Sequence, residues 1–107
     1  GFTINVTMEA GEGDDEYRAV FQKVLVAAAD DFKPEFVIIS AGFDAHKDDP
    51  LASMGLTESG YAELTEIVAG IATRHANGRI LSSLEGGYNL TALAASVHAH
   101  IGALLNA

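Results

Sequence analysis

The run Val37-Ile38-Ile39-Ser40 stops at a small-residue turn, Ala41-Gly42, and opens into Phe43-Asp44-Ala45-His46. The strand read over Phe36–Ser40 is apolar on both faces, as parallel strands covered by helices tend to be. Open α/β sheets place ligands and metals in the crevice beyond the carboxyl ends of such strands. A second unit, the strand Arg79–Leu84 followed by Glu85-Gly86-Gly87-Tyr88-Asn89-Leu90, repeats the plan. One strand end presents an Asp and the other a Tyr, and the two point to one shared site.

The remaining segments alternate with these two. Phe2, Ile4 and Val6 alternate with Thr3, Asn5 and Thr7, a period of two that reads as a half-buried strand over residues 2–7. Asp14 follows a glycine-containing loop and can cap a helix, with Asp15 and Glu16 favouring its positive end. Tyr17, Val20, Phe21, Val24, Leu25 and Ala28 form its apolar stripe, and Lys33-Pro34 ends it. Thr57 caps a second helix carrying Tyr61, Leu64, Ile67, Val68 and Ile71, which Asn77-Gly78 closes. Asn89 caps a third, with Leu90, Leu93, Val97, Ile101, Leu104 and Leu105 on one face. The order β-α-β-α-β-α predicts an α/β fold with a parallel sheet and right-handed crossovers. Helices cover both faces of such a sheet, or one face if the domain is partial. Residues 1–107 read as a single partial domain, since the chain starts at Gly1 and enters a strand-like segment at once.

Composition removes several function classes. Six basic against 15 acidic residues give a net charge of -9, which argues against non-specific nucleic-acid binding. With no cysteine, disulfides and Cys-ligated zinc are excluded, and any metal must be held by Asp, Glu or His. No apolar run reaches the length of a membrane span and no signal-peptide pattern is present, so a cytoplasmic protein is the default expectation.

Two motifs carry a specific resemblance. Ser40-Ala41-Gly42-Phe43-Asp44-Ala45-His46 with Asp49-Pro50-Leu51, and Leu84-Glu85-Gly86-Gly87-Tyr88-Asn89-Leu90 downstream, resemble signatures of the histone deacetylase superfamily. The branch is the class II-like and bacterial one, which includes acetylpolyamine amidohydrolases. The resemblance extends over essentially the whole chain. It implies a three-layer α/β/α, arginase/deacetylase-like fold, of which about three strands and three helices lie here. It also implies Zn2+-dependent hydrolysis of an acetyl amide on a lysine or polyamine nitrogen. By the same resemblance Asp44 is a zinc ligand, Tyr88 stabilises the oxyanion, and Gly86 and Gly87 belong to the active-site loop. The family's other two zinc ligands, in an Asp-x-His motif, and its pair of adjacent histidines lie upstream of the matched region. The chain thus resembles the C-terminal part of a deacetylase, expected to be inactive by itself.

Other residues read more plainly. Asp44-Ala45-His46 is itself an Asp-x-His string, but His46 reads chiefly as a solvated loop histidine, with a metal-binding pair the lesser alternative. Asp48 and Asp49 read as loop-capping or solvating residues, with Asp49 as support for the site the minority reading. Glu85 is either a loop-orienting group or a surface charge. His75, His98 and His100 read as structural. A non-enzymatic alternative remains: a folded fragment self-associating through an exposed sheet edge or apolar face. A phosphate-cradling role for Glu85-Gly86-Gly87-Tyr88 is weak, because the loop lacks the dinucleotide and P-loop fingerprints.

Overall fold

The computed structural model describes all 107 residues. Helix α1 (Asp14–Val20) continues through a π-helical turn (Phe21–Leu25) into α2 (Val26–Phe32). Strand β1 (Val37–Ala41), helix α3 (Glu58–His75), strand β2 (Ile80–Leu84) and helix α4 (Leu90–Leu105) follow. The strands pair in parallel, from Val37 opposite Ile80 to Ala41 opposite Leu84. This is the expected α/β class with a parallel sheet, and both strands end at the same edge.

The local stop and start signals act as the sequence indicates. Thr57 Oγ1 accepts the Gly60 N–H at 3.1 Å, and Asn89 Oδ1 accepts that of Ala92 at 2.9 Å. Each satisfies an orphan donor of a first helical turn. Lys33 closes α2 in the left-handed conformation at φ 56, just ahead of Pro34. At the first helix the cap differs. Gly13 takes the capping position, and the Asp14 carboxylate instead accepts the Thr57 N–H at 2.9 Å, joining the starts of α1 and α3.

Two further expectations need correction. Residues 2–7 form no strand and make no backbone–backbone hydrogen bond, so the sheet has two strands rather than three. Alternation specifies a half-buried face, but a strand also needs a neighbour to pair with. The inner residues Ile4, Val6 and Met8 instead line an apolar groove with the Tyr17, Phe21 and Val24 stripe. The apolar stripe of α4 is also only partly inward: Leu93 and Val97 pack against the core, whereas Leu90, Ile101 and Leu105 are exposed. Its fully buried residues are Ala92, Ser96, His100 and Ala103. Small residues let α4 approach α3 closely, which is the most extensive helix contact of the fold.

The helices lie on one face of the sheet. Ile39 and Ala41 point into a core with Phe43, Leu56, Tyr61 and Leu64, and Ser82 reaches α4 through His100. On the opposite face Ile38 and Leu81 are 70% and 51% exposed.

Buried His100 ties three elements together. The Thr65 hydroxyl donates to the Tyr61 carbonyl at 2.7 Å, so its oxygen must accept from His100 Nδ1–H, also at 2.7 Å. His100 Nε2 is then free to accept the Ser82 hydroxyl at 2.8 Å. The ring is neutral in this arrangement, and burial pushes its pKa below 6.5. The unfolded chain takes up a proton near 6.5 while the folded chain does so only at lower pH, so stability rises with pH across that interval. Thermal midpoints are therefore expected to fall between pH 7.5 and pH 5.5, with a shallower slope in His100→Gln. Equal slopes in the two proteins would contradict the neutral-histidine network.

Candidate active site

Beyond the two strands the pairing does not stop at once. Glu85 N–H donates to the Ala41 carbonyl at 2.9 Å, and Phe43 N–H donates to the Gly86 carbonyl at 2.8 Å. The two loops are thereby knitted side by side. Asp44 follows directly and is partly buried. A Cβ placed on Gly86 would lie 3.1 Å from the Asp44 Cγ and Oδ2, and one on Gly42 would lie 3.2 Å from Oδ1. The carboxylate therefore rests in a cradle of two glycine backbones that a larger residue would fill.

Asp49 fastens the second loop to the first. Its Oδ2 accepts the Tyr88 N–H at 2.8 Å and its Oδ1 accepts the Leu51 N–H at 2.9 Å. Asn89 Nδ2 adds a bond to the Asp48 carbonyl at 3.2 Å. Burial pushes the Asp49 carboxyl upward, but backbone donors led by Leu51 and Tyr88 outweigh it and hold the group below the usual range. Asp49 is therefore an anion held by amides, fixing the backbone that carries Tyr88. The Tyr88 side chain is 55% exposed at that edge.

His46 is not a solvated loop histidine. It is 1% exposed, and both ring nitrogens are engaged. The Asp48 N–H can only donate, so Nδ1 accepts it at 3.0 Å and Nε2–H points to Glu58 Oε1 at 3.1 Å. Both ring nitrogens are thus held by protein groups. The reason is non-local. Lys47 and Leu56 exchange backbone bonds with Leu56 and Ala45 respectively, and this bridge folds the loop over the imidazole. Glu58 is held below its usual range by its own backbone N–H and then by the His46 ring.

Two phenols sit behind Asp44. Burial first, then Glu12 and Asp44, raises the Tyr17 pKa. Tyr61 is raised by burial first, with Asp44 and Asp49 adding to it against the Ala45 N–H. Tyr61 Oη accepts that N–H at 3.1 Å. The sequence placed Tyr61 only on a core stripe; the available signal was that a buried tyrosine usually finds a partner for its hydroxyl.

A catalytic zinc takes three protein ligands. No group of three or more His, Asp or Glu side chains converges in these 107 residues. Asp44 alone does not amount to such a site. No helix is long and apolar enough to cross a membrane.

Known proteins are similar to this chain in sequence and in fold. Residues 1–104 match the family model described as the histone deacetylase domain. A probable deacetylase of Archaeoglobus fulgidus is 40% identical over 90 residues, covering 84% of this chain and 25% of its own length. Histone deacetylase 14, chloroplastic, of Arabidopsis thaliana is 41% identical over 105 residues, covering 98% of this chain and 25% of its own length. The chain thus spans about a quarter of the length of these curated relatives. The crystal structure of the HDA15 HD domain superposes with a TM-score of 0.84 at 43% identity, over 92% of this chain and 27% of that one. The paired strand-end loops, the family model and these relatives agree: the chain belongs to the histone deacetylase domain family.

Proposed function

We propose that these residues form the Asp- and Tyr-bearing part of a zinc-dependent amidohydrolase that cleaves acetyl amides of lysine or polyamine type. The reading is carried by one observation: Asp44 and Tyr88 leave adjacent parallel strands at the same edge, on loops joined by the Phe43–Gly86 and Tyr88–Asp49 hydrogen bonds. Asp44 would supply one zinc ligand, and its partly exposed carboxylate in a glycine cradle suits that role. The other two ligands and the general base would come from polypeptide outside these residues. Zinc held there would supply an acidified water and polarise a carbonyl. The Tyr88 phenol would donate to the oxyanion that develops on that carbonyl. Asp49 would keep the phenol's backbone in place.

The test is a chimaera in which these residues replace the matching part of the HDA15 HD domain. It is expected to deacetylate an acetyl-lysine peptide, whereas the 107-residue chain with added zinc is expected not to. A folded but inactive chimaera, or robust activity of the chain alone, would contradict the reading.

A second reading rests on the sheet. Ile38, Leu81 and Leu84 are exposed, and each strand has one unpaired edge. Such surfaces favour self-association. The chain by itself is expected to form dimers or larger assemblies in light scattering; a monodisperse monomer would contradict that.

A further inference from the structure

We propose that Tyr61 is the residue that positions Asp44. The inference rests on the catalytic reading of Asp44 and adds a group that acts through it.

Asp44 lies on a turn beyond the end of β1, one residue past the last bond to the neighbouring loop, that of Phe43 N–H to the Gly86 carbonyl. One buried side chain grips both of its neighbours. The Tyr61 ring meets Phe43 edge-on, with centroids 4.9 Å apart and planes at 61°. Its hydroxyl oxygen accepts the Ala45 N–H at 3.1 Å. It is the one side chain that hydrogen-bonds to residues 43–45; the other anchors there are backbone bonds, Phe43 to Gly86 and Leu56 to Ala45. Tyr61 can act as a fixed post because it sits in the first turns of α3, whose start is pinned by the Thr57 cap and by Asp14. The route from helix to carboxylate is therefore short: α3, phenol, Ala45 amide, Asp44. Releasing the amide would let the turn rotate the carboxylate off Gly86 without disturbing the core.

Tyr61→Phe isolates the hydroxyl, since the ring and its contact with Phe43 remain. The readouts are made by NMR on the 107-residue chain. Exchange of the Ala45 amide is expected to accelerate about tenfold, the loss of one hydrogen bond worth roughly 1.4 kcal/mol. The Asp44 χ1 couplings are expected to average, and the cross-peaks from Asp44 Hβ to Gly86 Hα to fall by half or more. The melting temperature should move by only a few degrees. A merely structural role would lower the melting temperature and leave the Asp44–Gly86 cross-peaks intact in the folded protein. That pattern, or unchanged exchange at Ala45, overturns the proposal. Should the variant not fold, the wild-type chain decides. The proposal requires one Asp44 rotamer and an Ala45 amide exchanging at least tenfold more slowly than that of Asp44; an averaged rotamer or an unprotected Ala45 amide overturns it. None of these readouts needs catalysis, so an inactive chimaera would reject the deacetylase reading while leaving the positioning of Asp44 to be judged separately.

Discussion

Tyr88→Phe in the chimaera is expected to lower kcat about 10²–10³-fold, the usual loss when one oxyanion donor is removed. The substitution removes one oxygen from a side chain that is more than half exposed and donates to nothing else in the fold. Stability should therefore stay within about 0.5 kcal/mol of the parent. The phenol serves charge that develops only in the transition state, so kcat and kcat/KM should fall together while KM holds. Steady-state kinetics on one acetyl-lysine peptide separates the outcomes. A rise in KM with kcat preserved would make Tyr88 a substrate-binding residue instead.

Gly87→Ala is expected to destabilise the fold through the loop that carries Tyr88. Gly87 has a φ of 143, where side-chain-bearing residues are strained. A Cβ there would lie 2.6 Å from Leu93 Cδ1 and 3.4 Å from Phe43 Cβ. Leu93 must move, and it packs against the core at the first turn of α4. Strain of about 1–3 kcal/mol, with about 1 kcal/mol more for moving the end of the Leu93 side chain, gives a combined loss of about 2–4 kcal/mol. For a domain of this length that lowers the melting temperature by on the order of 10–25 °C. Gly102→Ala is the internal control. Nothing lies within 4 Å of its Cβ, and it sits inside α4, so a gain of about 0.5–1 kcal/mol is expected. Calorimetry on the two variants checks both signs. A Gly87→Ala protein as stable as the parent would show that the loop carrying Tyr88 is not packed against Phe43 and Leu93.

The helix caps show what was legible in the sequence. Thr57 and Asn89 announce their helices because a cap bonds within its own first turn, and the Gly86-Gly87-Tyr88 loop is equally local. The pairing of β1 with β2 followed from the alternation of elements, which restricts the topology before any contact is known. The failures are non-local. Residues 2–7 carry a strand's periodicity, yet a strand forms only against a neighbour. His46 is buried because Leu56 bridges to it across the loop, an encounter that no spacing in the motif reveals. Of the α4 stripe only Leu93 and Val97 face the core, because close helix packing is made by Ala92, Ser96 and Ala103, which carry a weak apolar signal. At the site, Asp44 and Tyr88 were readable as motif residues and Asp49 as a loop cap, which its bond to the Leu51 N–H makes it, whereas its bond to the distant Tyr88 N–H and that of Tyr61 to Ala45 were not. A side chain bonding a distant amide leaves no pattern in residue types.

The central claim is that the Asp44 carboxylate and the Tyr88 phenol serve one reacting centre. A double-mutant cycle with Asp44→Asn and Tyr88→Phe in the chimaera tests it most directly, read as kcat/KM. Groups that act as a unit are strongly non-additive, so the double variant is expected to be about as slow as the slower single one. Losses that multiply in full, or an Asp44→Asn enzyme as active as its parent, would contradict the shared centre.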